Sequence, residues 1–367
     1  MPSEKFYQLA LSLIPGIGNI LTKQLISYCG SAKEVFKCNK TKLSKIPGIG
    51  EKAAQAILCH DTWETAEQEL SRHEAYGIKL LYYTDPDYPS RLKHIADAPS
   101  LLFYKGKSDL NHSKVLAIVG TRKATSYGKE VVEQLVAGIV QHAPIIVSGM
   151  AYGIDICAHR SAIKHGLPTI GVLASGINVI YPPAHKDAAN QMLEKGGLLS
   201  ENRLDAKPDF HRFPERNRII AGIADATLVI EAAEKGGALI TASLAKTYKR
   251  KLFAVPGSIM NSFSKGCLDL IKSGQAEMLT SAADLEKSLN WAVDESSDKP
   301  KSFDLDTLTT EENSIVHTLQ QHDNEMIIDE LSWKSQVPIN KLAGLLLEME
   351  FKGYIKSLPG KKFRLRV

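Results

Sequence analysis

Between Lys114 and Leu289, short apolar runs alternate with longer stretches in which apolar residues recur at helical spacing. Such alternation is typical of a parallel sheet covered by helices. Six apolar runs are predicted strands: VLAIVG ending at Gly120, APIIVSG ending at Gly149, PTIGVLA ending at Ala174, GLLSE ending at Glu201, ATLVIEA ending at Ala232 and KLFAVPG ending at Gly257. We therefore predict a Rossmann-like, doubly wound and mostly parallel α/β sheet, with its core over residues 114–289 of a domain spanning 76–290.

The amino-terminal segment contains an internal repeat. Residues 11–18 read LSLIPGIG and residues 43–50 read LSKIPGIG, and they differ only at Leu13 and Lys45. Each PGIG lies between helical patterns, so its glycines can form a tight hairpin that exposes backbone N–H groups at a helix terminus. This pattern resembles the DNA-binding helix-hairpin-helix motif and predicts an α-helical, SAM-like tandem over residues 1–75. The predicted secondary phosphate contacts are Gly16, Gly18, Gly48 and Gly50, and a packing or protein-interaction role is the alternative.

The carboxyl-terminal segment reads as two short helices, a third helix from Pro338 to about Phe351, and a hairpin. Apolar residues of the hairpin alternate at strand period: Phe363, Leu365 and Val367. This order predicts a winged-helix domain over residues 308–367. Because Glu348 and Glu350 lie on the predicted recognition helix and would repel phosphates, we favour protein interaction over DNA binding for this domain.

Charge divides the carboxyl-terminal third of the chain. The stretch from Asp294 to Glu312 is acidic and polar, whereas six basic residues and no acidic ones follow Glu350: Lys352, Lys356, Lys361, Lys362, Arg364 and Arg366. The contrast predicts a linker over residues 291–307 followed by a basic module.

Composition restricts the possible classes of protein. The 367 residues, 44% of them hydrophobic, are enough for two or three globular domains. The amino terminus has no basic stretch followed by an apolar run, and no apolar segment approaches membrane-spanning length, so we expect a cytoplasmic protein with no membrane association. Five cysteines without a CxxC spacing argue against a disulfide framework and a zinc site. The net charge of +4 makes the local charge distribution more informative than the total.

The first predicted strand runs into a turn that differs from a dinucleotide fingerprint. Its residues are Gly120, Thr121 and Arg122, followed by Ser126, Tyr127 and Gly128. No acidic residue follows the second strand to bind a ribose, so NAD and other cofactors are not expected. We place Arg122 at the start of the next helix, where backbone amides, the helix dipole and a bidentate guanidinium can together bind a phosphate.

The second turn contains Ser148, Gly149 and Gly153, and it precedes Asp155 and His159. The last two residues lie four apart on one helical face and could form an acid–base pair. We instead interpret Asp155 as a charge in the first helical turn and His159 as a structural histidine. No serine or cysteine lies in a recognisable nucleophile elbow, so we predict no catalytic residue.

Two further turns carry binding chemistry. The segment FPERNR places Phe213 beside three polar residues that can hold a nucleic-acid backbone while the ring stacks on a base: Arg216, Asn217 and Arg218. The alternative is a solvated helix start in which Glu215 pairs with the arginines. A later turn again places glycines and a hydroxyl between a strand and a helix: Gly236, Gly237 and Thr241. With the turn after Ala174, five such turns on one sheet edge together support a polyphosphate ligand far better than any single turn does.

The ordered set VGTR, SGMAYGID with AH, YP, LLSE, FPERNRIIAG, EAAEKGGALITA and AVPG closely resembles the DNA processing protein A family, also called Smf. The resemblance implies a homodimer, formed through the Rossmann-like domain, that binds single-stranded DNA cooperatively without catalysing a reaction. It also implies that the protein protects incoming DNA and loads the RecA recombinase during natural transformation and recombination. The family usually has Ser-Gly-Ser where this chain has Gly236, Gly237 and Ala238, and a glycine where it has Ala174.

Two other classes of protein compete with this interpretation. Phosphoribohydrolases of the lysine-decarboxylase-like group share the sheet and bind a nucleotide with a PGGxGTxxE turn. Gly236 and Gly237 occupy a similar place here, but the residues from Leu239 to Ala242 are uncharged and supply no glutamate. A protein-interaction scaffold, the third class, predicts no affinity for DNA.

Overall fold

The computed structural model describes residues 2–291, 308–322, 324–352, 354–358 and 360–365. Its amino-terminal part is helical, as the repeat predicts. The helices are α1 (Glu4–Ser12), α2 (Asn19–Cys29), α3 (Ala32–Phe36), α4 (Lys40–Ser44), α5 (Glu51–Leu58) and α6 (Trp63–Ala75). Each PGIG forms a hairpin in which the first glycine has a positive φ, 83° at Gly16 and 78° at Gly48. The leucines and isoleucines that the two copies share are buried, so the repeat contributes to the core as well as to the turns. They are Leu11, Ile14 and Ile17 in the first copy and Leu43, Ile46 and Ile49 in the second.

A nine-stranded sheet follows. Its strands are β1 (Lys79–Tyr82), β2 (Leu101–Gly106), β3 (Val115–Val119), β4 (Ile145–Gly149), β5 (Thr169–Leu173), β6 (Gly197–Ser200), β7 (Ala226–Val229), β8 (Lys251–Ala254) and β9 (Glu277–Met278). They lie in the order β1-β2-β6-β5-β4-β3-β7-β8-β9. The seven strands from β3 to β9 are parallel to one another, whereas β2 pairs antiparallel with both β6 and β1. All six predicted strands are confirmed, and so is the Rossmann-like, mostly parallel sheet.

Helices cover both faces of the parallel strands. They are α7 (Ser90–Lys93), α8 (Ser126–Gly138), α9 (Ile154–Lys164), α10 (Lys186–Lys195), α11 (Arg212–Ile223), α12 (Gly237–Thr247), α13 (Lys265–Lys272) and α14 (Ala282–Ser288). Ile219 of α11 and Ala242 of α12 pack in one core, whereas Val132 of α8 and Ala158 of α9 pack in another. The parallel strands are therefore apolar on both sides, as a doubly wound sheet requires.

The amino-terminal helices and the sheet share one apolar core. Leu9, Leu25 and Ile57 belong to the same buried cluster as Leu80 and Phe103 of the sheet. The chain up to Trp291 accordingly forms one compact unit, and the boundary predicted at residue 75 lies inside it.

The second compact unit follows Trp291 and contains the predicted winged helix. Its elements are α15 (Thr310–Gln320), β10 (Glu325–Ile327), α16 (Ile328–Ser335), α17 (Ile339–Phe351), β11 (Ile355–Leu358) and β12 (Lys362–Leu365). The three strands form an antiparallel sheet in the order β10-β12-β11. The predicted linker after Trp291, and Val367 of the predicted hairpin, lie outside the described residues.

Candidate nucleic-acid interface

A crevice of about 440 Å³ opens at the carboxyl ends of the parallel strands. It lies where β3 neighbours both β4 and β7, so that the chain leaves the sheet in opposite directions on its two sides. Ligands of doubly wound folds bind at such a point. The lining residues include Gly120, Thr121, Arg122, Asp155, Phe210, Phe213, Arg216, Asn217, Lys235, Gly236, Gly237 and Thr241. The structure thus brings together the first predicted turn, the FPERNR segment, which is the fourth turn, and the turn at Gly236 and Gly237, which is the fifth turn.

Arg122 is exposed in the turn after β3, three residues before Thr125, which caps α8. Its predicted place at the start of the helix is therefore wrong, because the chain needs the residues up to Thr125 to turn back onto the sheet. The guanidinium carbon of Arg122 instead lies 5.4 Å from the ring centroid of Phe213. This cation–π contact leaves the guanidinium N–H groups at the crevice wall, where a phosphate can accept from them.

The turn that carries Arg122 is held from beneath by Glu231, which is 1% exposed. Its carboxylate accepts hydrogen bonds from the backbone N–H of Thr125 at 2.9 Å and from the Thr125 hydroxyl at 2.6 Å. The Thr121 N–H donates to the Glu231 carbonyl at 2.7 Å. Glu231 therefore fixes both ends of the turn, a role that sequence reasoning missed because it depends on β7 lying beside β3.

The first turn of α8 contributes little to the crevice. Gly128 is buried against Glu231, where an added Cβ would lie 2.2 Å from a carboxylate oxygen. The Tyr127 hydroxyl donates to the Pro256 carbonyl at 2.6 Å, and its ring lines a different cavity. Ser126 is exposed but does not line the crevice. The positions of these three residues therefore do not support their predicted DNA contacts, because none of the three lines the crevice.

Of the predicted contacts in the second turn, Ser148 and Gly149 are buried and Gly153 is half-buried. The Ser148 hydroxyl is fully buried and donates to the Ile118 carbonyl at 2.5 Å. A Cβ at Gly149 would lie 2.4 Å from the Arg216 guanidinium. Gly153, with a φ of 80°, packs against the Thr121 carbonyl. These residues give the crevice its shape, because their small size lets neighbouring segments approach closely.

His159 and Asp155 are both buried, as their structural interpretation predicts. The two ring nitrogens of His159 lie 2.7 Å from the Thr169 hydroxyl and 2.8 Å from the Gly149 carbonyl, and burial lowers the pKa of His159 to about 4. Burial raises the pKa of Asp155 to about 6, against the opposing charge of Arg216. His159 therefore stays neutral at neutral pH and has no nitrogen free to accept a substrate proton.

Helix α11 presents its polar residues in different directions. Arg216 is buried, and one Nη donates to the Val172 carbonyl of β5 at 2.5 Å, while burial lowers the pKa of the guanidinium. Its Nε donates to the side-chain oxygen of Asn217 at 3.1 Å. Arg218 pairs with Glu201 and donates to the Asp97 carbonyl, away from the crevice. The predicted DNA contact of Arg218 is thus replaced by internal partners, and Arg216 reaches the crevice only as part of its floor.

The fifth turn lies opposite Arg122. Gly236 and Gly237 lead into α12, and the Gly237 carbonyl accepts from Asn217 Nδ2 at 3.4 Å and from the Thr241 hydroxyl at 3.2 Å. A Cβ at Gly236 would meet no atom within 4 Å, so this part of the wall is open. Lys235 lines the same wall and supplies a cation that sequence reasoning left unassigned.

Exposed aromatic rings flank the crevice. Phe210 on its rim is 82% exposed, and Tyr181 lies 6.0 Å from Phe213 between ring centroids. Tyr152 and Tyr181 line an adjoining cavity of about 50 Å³ together with Phe213. Phe210 and Tyr152 were missed by sequence reasoning, although the signal was present: one lies three residues before Phe213 and the other inside the glycine-rich second turn.

Comparisons with known proteins agree with this architecture. The model of the DNA recombination-mediator protein A family matches residues 79–290, which is more than half of the chain. The chain belongs to this family, also named DNA processing protein A or Smf. Within the family's wider architecture, a SAM-like helix-hairpin-helix tandem matches residues 9–58 and the DprA winged helix domain matches residues 299–361.

Three relatives in this family cover from 58% to 99% of the chain. Protein Smf from Synechocystis is 31% identical, and the alignment covers 99% of each chain. The solved structure of DNA processing protein A from Streptococcus pneumoniae has a TM-score of 0.66 and 32% identity, covering 78% of this chain and 97% of its own. That of Helicobacter pylori DNA processing protein A, described for its single-stranded DNA binding mode, has a TM-score of 0.53 and 27% identity, covering 58% and 96%.

The family's helix-hairpin-helix pair has two different surroundings in this chain. Gly18 precedes α2, and the adjacent Asn19 side chain accepts from the Ser100 N–H at 2.8 Å and the Ser100 hydroxyl at 2.9 Å. Gly50 precedes α5 and lies between the exposed Lys45 and Lys52. The first hairpin is therefore docked on the sheet, whereas the second is bordered by positive charge. All four predicted glycines, Gly16, Gly18, Gly48 and Gly50, are exposed.

The basic residues of the winged helix are mostly paired within that unit. Lys352 pairs with the buried Glu312 at 2.7 Å, and Lys362 and Arg364 both pair with Glu325. These pairs reduce the positive charge that the carboxyl-terminal sequence suggests.

The described residues contain neither a metal-binding cluster nor a membrane-spanning helix. No group of three or more His, Cys, Asp or Glu side chains in the described ranges could hold a metal ion. Among the helices of that same part of the chain, none is long and apolar enough to cross a membrane.

Proposed function

We propose that this protein binds single-stranded DNA in the crevice between β3 and β7, protects incoming DNA and loads the RecA recombinase onto it in natural transformation and recombination. The observation that carries the proposal is the contact of the exposed cation of Arg122 with the half-buried ring of Phe213, beside the exposed ring of Phe210 in the same crevice. A guanidinium can bind the backbone while rings stack on unpaired bases, which a duplex keeps covered. The Helicobacter pylori relative, described for single-stranded DNA binding, supports the same ligand.

A catalytic role has less support at this site. The wall from Leu239 to Thr241 carries no carboxylate, and the buried Asp155 and His159 are held by internal hydrogen bonds. A nucleotide hydrolase needs an acid or base within reach of the scissile bond. We therefore propose a binding protein without a cofactor, and the phosphoribohydrolase alternative is not favoured.

A homodimer formed through the Rossmann-like domain is part of the proposal. Ile259 and Met260 follow β8 and are 83% and 89% exposed, so this domain presents adjacent large apolar side chains that a second copy could cover.

The test is a titration of matched single-stranded and duplex oligonucleotides against the purified protein. Tighter binding of the single strand is expected, and Arg122→Ala weakens it. Lys123→Ala is the matched control, because Lys123 is the exposed neighbour of Arg122 and does not line the crevice. Equal affinity for both DNA forms, or equal losses in the two variants, would contradict the proposal.

A further inference from the structure

A second groove, of about 490 Å³, lies next to the crevice on the side of the amino-terminal helices. The two are separated by one chain segment, which contributes to both. Phe213 lines both the crevice and its adjoining cavity, and Pro208 lines that cavity, whereas residues 201–206 and Arg212 line the groove. Arg212 and Phe213 are neighbours in the chain, so a strand that leaves the crevice at Phe213 meets the groove at Arg212.

The positive charges of the groove are available to a ligand. Arg203 is exposed, and among the described residues no acidic side chain pairs with it. One Nη of Arg212 donates to the Lys207 carbonyl at 2.7 Å, a neutral partner that leaves its charge uncompensated.

The negative charges of the groove are already paired. Glu201 forms its ion pair with Arg218. Asp205 pairs with Arg72 and accepts from Asn178 at 2.7 Å. The groove therefore presents two guanidinium groups without an acidic partner and acids with internal partners, which favours an anionic ligand.

The far rim of the groove is formed by the first hairpin. Ser12 and Asn19, which stand on either side of that hairpin, both line the groove. The two hydrogen bonds from Ser100 to the Asn19 side chain hold this rim on the sheet. Gly16 and Gly18 are exposed at the tip, where their backbone can approach a phosphate.

We propose that a single strand bound in the crevice continues past Arg212 into this groove and reaches the first helix-hairpin-helix, so that the binding surface joins the sheet to the amino-terminal helices. The inference rests on the proposed function and extends it from a crevice to a path. Along the path, the rings of the crevice bind bases, and Arg203 and Arg212 bind backbone phosphates.

The test uses oligothymidylates from about 4 to about 20 nucleotides, a range that covers known single-strand site sizes. Affinity is measured for the full chain, Arg203→Ala, Arg203→Glu and the control Arg160→Ala, whose arginine is also exposed but lines neither cavity. The shortest strand that binds should bind the full chain and Arg203→Ala equally. Longer strands should bind Arg203→Ala about two- to fivefold more weakly, the effect of one exposed ion pair, and Arg203→Glu more weakly still.

Salt dependence gives a second readout. For long strands, Arg203→Ala should lower the slope of log affinity against log salt by about 0.7 for each lost phosphate contact. If Arg203→Ala weakened binding equally at every strand length, or at none, the proposed path into the groove would be wrong, whereas the proposed binding in the crevice would stand. Failure of the full chain to bind any of the strands would overturn the proposed function itself.

Discussion

The guanidinium of Arg122 lies over the ring of Phe213, with its central carbon 5.4 Å from the ring centroid. One residue comes from the turn after β3 and the other from the first turn of α11, so the contact closes one side of the crevice. The side chain proposed to bind a phosphate and the side chain proposed to stack on a base are therefore in direct contact, which would couple their contributions to binding.

This coupling should appear in a double-mutant cycle. Arg122→Ala should lower the salt slope of single-strand binding by about 0.7 per lost phosphate contact, and Arg122→Lys should recover only part of the affinity because an ammonium lacks the bidentate fork. Phe213→Ala should cost about 1 to 3 kcal/mol through lost stacking. The double variant should lose about 0.5 to 2 kcal/mol less than the sum. Strict additivity in oligothymidylate titrations would show that the two side chains act independently.

The buried carboxylate of Glu231 should be essential for the stability of the Arg122 turn. Glu231→Ala leaves the Thr125 N–H and hydroxyl without their acceptor and should lower the free energy of unfolding by about 1 to 3 kcal/mol. Single-strand affinity should fall with it, because the turn that positions Arg122 loosens. Urea unfolding and strand titration measure the two effects.

Glu234 provides the matched control for Glu231. Its side chain is 63% exposed and pairs with Lys265 at the surface. Glu234→Ala should change the free energy of unfolding by less than about 0.5 kcal/mol. Equal losses in the two variants would argue against a specific role for Glu231.

His159 and Asp155 should give opposite pH dependences of stability. The pKa of His159 falls from 6.5 to about 4 on folding, so its contribution is complete above pH 6.5 and is lost as the pH falls toward 4. The pKa of Asp155 rises from 3.8 to about 6, so its contribution is complete below pH 3.8 and is lost as the pH rises to about 6. Between about pH 4 and about pH 6, where the two ranges overlap, the two contributions to stability change in opposite directions.

Removing either group should reveal the pH dependence of stability that the other group contributes. Asp155→Asn should make the protein more sensitive to acid between pH 6.5 and 4, by up to about 1.4 kcal/mol per pH unit, and His159→Gln should make it less sensitive. Urea unfolding across this range measures both slopes. Parallel pH profiles for wild type and both variants would mean that neither group changes its protonation on folding.

Residues 1–291 should bind single-stranded DNA without the winged helix. They form one compact unit and contain every residue of the crevice, whereas the cations of the winged helix are largely paired within their own unit. The truncated chain should keep its cooperative unfolding transition and most of its affinity. If a folded 1–291 chain showed no measurable binding, the DNA-binding site would instead have to lie in the winged helix.

The purified protein should not hydrolyse nucleoside monophosphates, with or without added divalent metal. The wall of the crevice from Leu239 to Thr241 lacks a carboxylate, and both ring nitrogens of His159 have partners. Chromatography of the nucleotide after long incubation measures any product. Steady release of free base that Asp155→Asn abolishes would favour the hydrolase alternative.

Local sequence patterns are enough to predict the architecture of this protein. Strand ends at glycine, the repeated PGIG and the alternation in the last hairpin are local patterns, and each is dictated by backbone geometry or by the period of a face that must be buried. They therefore predicted the parallel sheet, the paired hairpins and the winged helix without knowledge of any distant contact.

Long-range packing, in contrast, sets which polar residues of the turns face the crevice. Arg216 and Arg218 are close neighbours in the chain, yet one forms the floor of the crevice against β5 and the other pairs with Glu201 outside it. Ser148 and Gly149 also end a strand at a turn, as Gly236 and Gly237 follow one, but the Ser148 hydroxyl bonds to the Ile118 carbonyl of β3 and Arg216 covers Gly149. Exposure depends on which segments pack on a turn, and those segments come from distant parts of the chain.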